Sequence, residues 1–159
     1  MKLLITIIIV LISLNINAQS LKRYTLGEKL VGTSREMTTV AGIEGGVAVG
    51  TLNDGTIAAV GFIPCTSNGE QVTRISETDF NRLKIAIEKN YGISFIKEEE
   101  EYTRNFTYYA TSTNNAFYTI TVEYNQFLDN PYQISFMITT LKLIDMLEKE
   151  KQKKANSDF

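Results

Sequence analysis

Apolar positions recur along this chain with two different periods, and the places where the period changes mark its elements. Between residues 45 and 63 the alternation is every second residue. Val47, Val49 and Thr51 alternate with Ala48, Gly50 and Leu52, and Ile57, Ala59, Gly61 and Ile63 with Ala58, Val60 and Phe62. Period two is the pattern of a strand. Asn53-Asp54-Gly55 lies between the two runs, and Asp and Gly both tolerate positive φ, so the segment predicts a hairpin. Its glycines, Gly42, Gly45, Gly46, Gly50 and Gly61, leave room for a bulge in the sheet or for an element packed against it.

Residues 77–91 switch to the helical period. Phe80, Leu83 and Ile87 form one stripe with Ala86 beside them, while Arg82 and Glu88 belong to the other side. Ser76 followed by Asp79 is a relative of the capping box. Glu77 and Asp79 put negative charge where the helix dipole favours it, and Gly92 suits a left-handed C-terminal cap.

Period two then returns. Residues 93–96 read as a short strand. In residues 102–111, Tyr102, Arg104, Phe106 and Tyr108 oppose Thr103, Asn105, Thr107 and Tyr109. Asn114-Asn115 makes a turn. Tyr118, Ile120, Val122 and Tyr124 face one way and Thr119, Thr121 and Glu123 the other, as in a strand with one wet face. After the turn at residues 128–131, Tyr132, Ile134, Phe136 and Ile138 continue the pattern. Such tight connections imply antiparallel neighbours, because parallel pairing needs a crossover. Residues 141–154 return to the helical period through Leu141, Ile144 and Leu147, widened by Leu143 and Met146. Lys149, Lys151, Lys153 and Lys154 stand near the favourable end of the dipole.

The expected fold is therefore α+β: an antiparallel sheet of about five strands with two helices packed on one face. Residues 19–154 form a single domain and residues 155–159 a disordered tail. Residues 20–36 show no clear period.

The first eighteen residues have a different character. Lys2 precedes a nearly unbroken apolar run over residues 3–12, interrupted by Thr6, and Ala18 follows a more polar stretch. The run is about half the roughly 20 residues needed to cross a bilayer. It reads as a signal peptide, residues 1–18, with cleavage after Ala18. The expected location is periplasmic or extracellular, and the Ile-, Asn- and Lys-rich composition suggests a bacterium. No integral membrane segment is expected after cleavage.

Composition narrows the chemistry. The 159 residues contain 16 basic and 18 acidic side chains, no His, no Trp and one Cys. Without His there is no Ser–His–acid triad, no Cys–His couple and no His-ligated metal within the chain. The slightly acidic balance, with no basic cluster before the C-terminus, does not suit nucleic acid. No cofactor is implied, and no motif assigns a family.

Three sets of residues remain as candidates. Cys65 is a possible reactive thiol, but activation needs a cation, a helix N-terminus or a metal beside it. The run Glu98-Glu99-Glu100-Glu101 lacks the alternate spacing and the glycine of a calcium loop, and it suits a solvated loop or a charged strand edge. Tyr102, Tyr108, Tyr118, Tyr124 and Tyr132 share one parity of successive strands. On a helix-covered side these rings would finish the core. On an open side they would make a platform for a protein or a glycan, because Tyr joins a large ring to a polar tip. The functional expectation is a non-catalytic exported protein that binds another secreted protein or envelope component through a Tyr-rich sheet face. The alternative is a small exported enzyme using Cys65 or a carboxylate pair drawn from Glu44, Glu70 and Glu123.

Overall fold

The computed structural model describes residues 20–100 and 104–157. The expected signal peptide and Tyr102 lie outside that range. A short pair, β1 (Ser20–Leu21) and β2 (Tyr24–Thr25), precedes a seven-stranded antiparallel sheet. Its strands are β3 (Arg35–Val40), β4 (Ile43–Thr51), β5 (Ile57–Pro64), β6 (Ile96–Glu99), β7 (Phe106–Thr111), β8 (Ala116–Tyr124) and β9 (Tyr132–Thr140), with α1 (Glu77–Tyr91) between β5 and β6 and α2 (Leu141–Ser157) at the end. Among the described residues no helix is long and apolar enough to cross a membrane.

The spatial order is β3-β4-β5-β9-β8-β7-β6. Two meanders, β3 to β5 and β6 to β9, meet where β9 pairs with β5 through Val60–Ile138 and Phe62–Phe136. Because every neighbouring pair is antiparallel, β5 and β6 run the same way. Helix α1 therefore carries the chain past β9, β8 and β7 before β6 begins, as a connection between like-directed strands must.

The sheet has seven strands where the periodicity predicts about five. β3 is a strand the pattern does not show, and β6 is the short strand of that region in a shifted position; both are edges, and neither has an apolar face to advertise it. In β3 (Arg-Glu-Met-Thr-Thr-Val) every residue stays at least partly exposed, and in β6 (Ile-Lys-Glu-Glu) all four are exposed. β6 also begins where the sequence pattern places the end of a strand at residues 93–96. Helix α2 runs to Ser157, three residues beyond its expected end.

Alternation sorts the side chains cleanly. Val47, Val60, Phe62, Tyr118, Ile120, Val122, Ile134, Phe136 and Ile138 are buried on the face that receives Phe80, Leu83, Ile87 and Tyr91 of α1. Leu143 and Leu147 of α2 join the same core. The opposite face carries Ala48, Gly50, Ala59, Gly61, Thr119, Thr121, Ser135 and Met137, and Tyr109 belongs to it by register.

The local signals at α1 operate as read. The Ser76 hydroxyl accepts the Asp79 N–H at 3.1 Å, and Gly92, at φ 64°, returns its N–H to the Glu88 carbonyl. One glycine is enforced by packing: a Cβ on Gly45 would lie 2.4 Å from the Ile63 carbonyl oxygen and 2.6 Å from the Phe62 ring.

An aromatic cleft at the start of the helix

Strand register brings most of the tyrosines together. Tyr124 pairs directly with Tyr132 across β8 and β9, and their ring centroids lie 5.3 Å apart. Tyr108 and Phe106 stand on the same face of β7, opposite Ile120 and Val122. The first turns of α1 lower Phe80 among these rings. It stacks on Tyr132 with centroids 4.7 Å apart and also meets Tyr108 at 5.8 Å and Phe106 at 6.5 Å.

The placement of Phe80 is held from two sides. Ser76 caps α1 immediately upstream. Before it, Ile75 exchanges both backbone hydrogen bonds with Tyr132, at 2.8 and 3.2 Å. Arg74 adds a clamp: its guanidinium donates to the Pro131 carbonyl at 3.0 Å and pairs with the Glu123 carboxylate at 2.6 Å. The start of the helix and the turn between β8 and β9 are thus fastened to each other.

Phe80, Phe106, Tyr108, Tyr124 and Tyr132 line a cleft of about 410 Å³, completed by Glu77, Asn81, Lys97, Glu99, Arg104 and Asn105. Phe80 is buried, whereas Phe106 and the three tyrosines are half-buried. Among the described residues the rim carries Glu77 and Glu99 against Lys97 and Arg104. Lys97 pairs with Glu99 at 2.5 Å and rests 4.3 Å above the Phe106 ring, a cation–π contact. Lys84 lies 5.3 Å over the Tyr108 ring while pairing with Glu88 at 3.0 Å. Burial raises the Tyr132 phenol above its ordinary value, and the Glu77 carboxylate and the phenols of Tyr124 and Tyr108 push it further the same way. The turn joining Tyr124 to Tyr132 also holds Phe127, which is 86 % exposed.

The expected tyrosines divide by location. Tyr108, Tyr124 and Tyr132 enter the cleft. Tyr118, of the same parity, is completely buried between strands and helix, beside Tyr91 at 5.0 Å, so its ring does not reach the surface. The parity they share faces α1 rather than the open side of the sheet. Phe80, Phe106, Glu77, Asn81, Lys97, Glu99 and Arg104 were not among the expected binding residues. The parity of Phe106 with Tyr108 was visible in the sequence, but the arrival of Phe80 depends on how α1 crosses the sheet.

The residues of the alternative reading stand in different settings. Cys65 is buried with its sulfur 3.8 Å from that of Met37 and next to Gly46, an apolar seat. Glu44 on β4 and Glu123 on β8 are separated by β5 and β9, and Glu70 is engaged by Asn68 in a loop. Glu98 and Glu99 lie on the exposed edge strand β6. No group of three or more Cys, Asp or Glu among the described residues is arranged to hold a metal ion. Comparison with protein-family models, with curated proteins and with solved structures finds no match.

Proposed function

We propose that this protein is a non-catalytic binding protein, exported to the periplasm or the exterior, that holds an envelope component or another secreted protein in the aromatic cleft. One observation carries the reading. Among the described residues, five aromatic rings from α1, β7, β8 and β9 converge on one opening with a polar rim. Clefts of roughly 300–1,000 Å³ with apolar walls and a few convergent polar groups are the usual form of a ligand site. Rings that expose part of their surface while neighbours hold them rigid lose little freedom on binding.

The reading moves the contact surface from the open sheet face to the helix-bearing face, where three of the expected tyrosines stand. Immobilised protein exposed to the envelope fraction of its host should retain a component that the Tyr124→Ala/Tyr132→Ala double variant loses and that Tyr109→Ala, altered on the opposite face, keeps. Equal retention by all three proteins would reject the cleft as the site.

A further inference from the structure

We infer that the ligand of this cleft is a neutral saccharide, an inference that rests on the cleft being the binding site. The first argument is charge. Among the described residues, Glu77 and Glu99 on the rim are matched in number by Lys97 and Arg104, and Lys97 is already committed to Glu99 and to the Phe106 ring. A ligand with net charge of either sign would have to break that pairing or leave one partner uncompensated, which is costly once water is displaced. A neutral polyol exchanges hydrogen bonds and brings no charge.

The second argument is the hydrogen-bonding inventory. Each hydroxyl of a sugar both donates and accepts, so its best partners do the same or present forked geometry. The rim and walls supply both kinds. Tyr108, Tyr124 and Tyr132 contribute phenols and Asn81 and Asn105 contribute amides, each able to donate and accept, while Glu77 and Arg104 offer two-pronged groups that span adjacent hydroxyls.

The third argument is the wall. One face of a pyranose ring is a flat array of polarised C–H bonds that packs on the negative face of an aromatic ring. Phe80 backs Tyr132 in a near-parallel stack, which keeps that ring flat and oriented.

The test is a heteronuclear NMR titration of the purified chain with three neutral probes: short oligomers of β-1,4-glucose, of α-1,4-glucose and of N-acetylglucosamine. At least one should shift amide resonances concentrated at residues 77–81, 104–108, 124 and 132. Tyr124→Ala should weaken that probe by about ten-fold or more, the scale of a lost ring contact and hydroxyl, and Tyr109→Ala should leave it unchanged. Tyr124→Phe, which keeps the ring, guards against misfolding and should fall between. Because no net charge is exchanged, affinity should vary by less than about two-fold between low and high salt.

Failure of all three probes at millimolar concentration, shifts spread over the open face of the sheet, or affinity that collapses with salt would overturn the saccharide inference. If the envelope component retained through the cleft were protein, destroyed by protease and untouched by glycosidase, the saccharide would fail while the binding site stood. If nothing were retained through the cleft, both would fall.

Discussion

The ring of Phe80 lies flat on the ring of Tyr132, with planes 2° from parallel and centroids 4.7 Å apart. This contact ties the first turn of α1 to the first residue of β9 and forms the back wall of the cleft. Phe80 is 3 % exposed, so Phe80→Ala should lower stability by about 3–5 kcal/mol. In a double-mutant cycle, Phe80→Leu and Tyr132→Leu should show a coupling of about 0.5–1.5 kcal/mol, the part that belongs to ring geometry and not to burial. Urea unfolding of the four proteins measures it. Simple additivity would mean the stack contributes only its area.

Gly45 should not tolerate a methyl group. Its added Cβ would press on the Ile63 carbonyl oxygen, which is backbone, and on the fully buried Phe62 ring, neither of which can easily withdraw. Gly45→Ala should cost about 1–3 kcal/mol or more, as overpacking does. At Gly50 the same atom would meet the Ala59 Cβ at 3.7 Å, an ordinary contact, so Gly50→Ala should remain within about 1 kcal/mol of the native protein. Equal midpoints for the two variants in chemical denaturation would contradict this account.

Stability should fall at alkaline pH. Burial raises the Tyr118 phenol above its usual value, and the nearby Ser112 hydroxyl acts in the opposite sense. Tyr91, buried and beside Tyr118, shifts the same way, as does Tyr132. As pH passes about 10 the unfolded tyrosines ionise while the native ones keep their protons. The unfolded chain then binds fewer protons, and unfolding free energy decreases with rising pH. The contribution is complete below that pH and is lost through the raised native values. Tyr118→Phe should flatten the alkaline decline in urea midpoints, and an unchanged slope would exclude Tyr118 as a source.

The turn of the β4–β5 hairpin carries the opposite dependence. Asp54 is held at about 2, first by a hydrogen bond from the Lys29 ammonium and then by the backbone N–H and the hydroxyl of Thr56; the ion pair measures 2.7 Å. Its stabilisation is present above the ordinary carboxyl range and disappears as pH falls toward that value. In an NMR titration of the Asp54 carboxyl, Lys29→Ala should move the midpoint up toward that ordinary range. A midpoint that stays in place would show that Thr56 alone holds the carboxylate.

Much of this fold is legible residue by residue. Helix α1 occupies residues 77–91 as its stripe and caps require, because Ser76, Gly92 and the Phe80–Leu83–Ile87 spacing act within a few residues of each other. The β4–β5 hairpin follows from Asp54-Gly55 in the same way. β3 escapes the pattern and β6 is misplaced by it, because edge strands with exposed side chains carry no alternation of polarity. The candidate site was half visible. Parity places Tyr108, Tyr124 and Tyr132 on one side, yet the same parity holds Tyr118, and nothing local distinguishes a ring at the mouth of a cleft from one sealed beneath the helix.

What the amino-acid sequence determined by itself is the set of elements and the face to which each side chain belongs, since these depend on backbone periods and turn chemistry within short windows. Only the tertiary structure decided that β9 returns to pair with β5, that β6 becomes an edge, and that α1 lies over the tyrosine side of the sheet with its first turn open to solvent. Those outcomes rest on contacts between residues far apart in the chain, such as Phe62 with Phe136 and Phe80 with Tyr132. Their free energy comes from burying both partners together, so neither partner's local pattern can announce it.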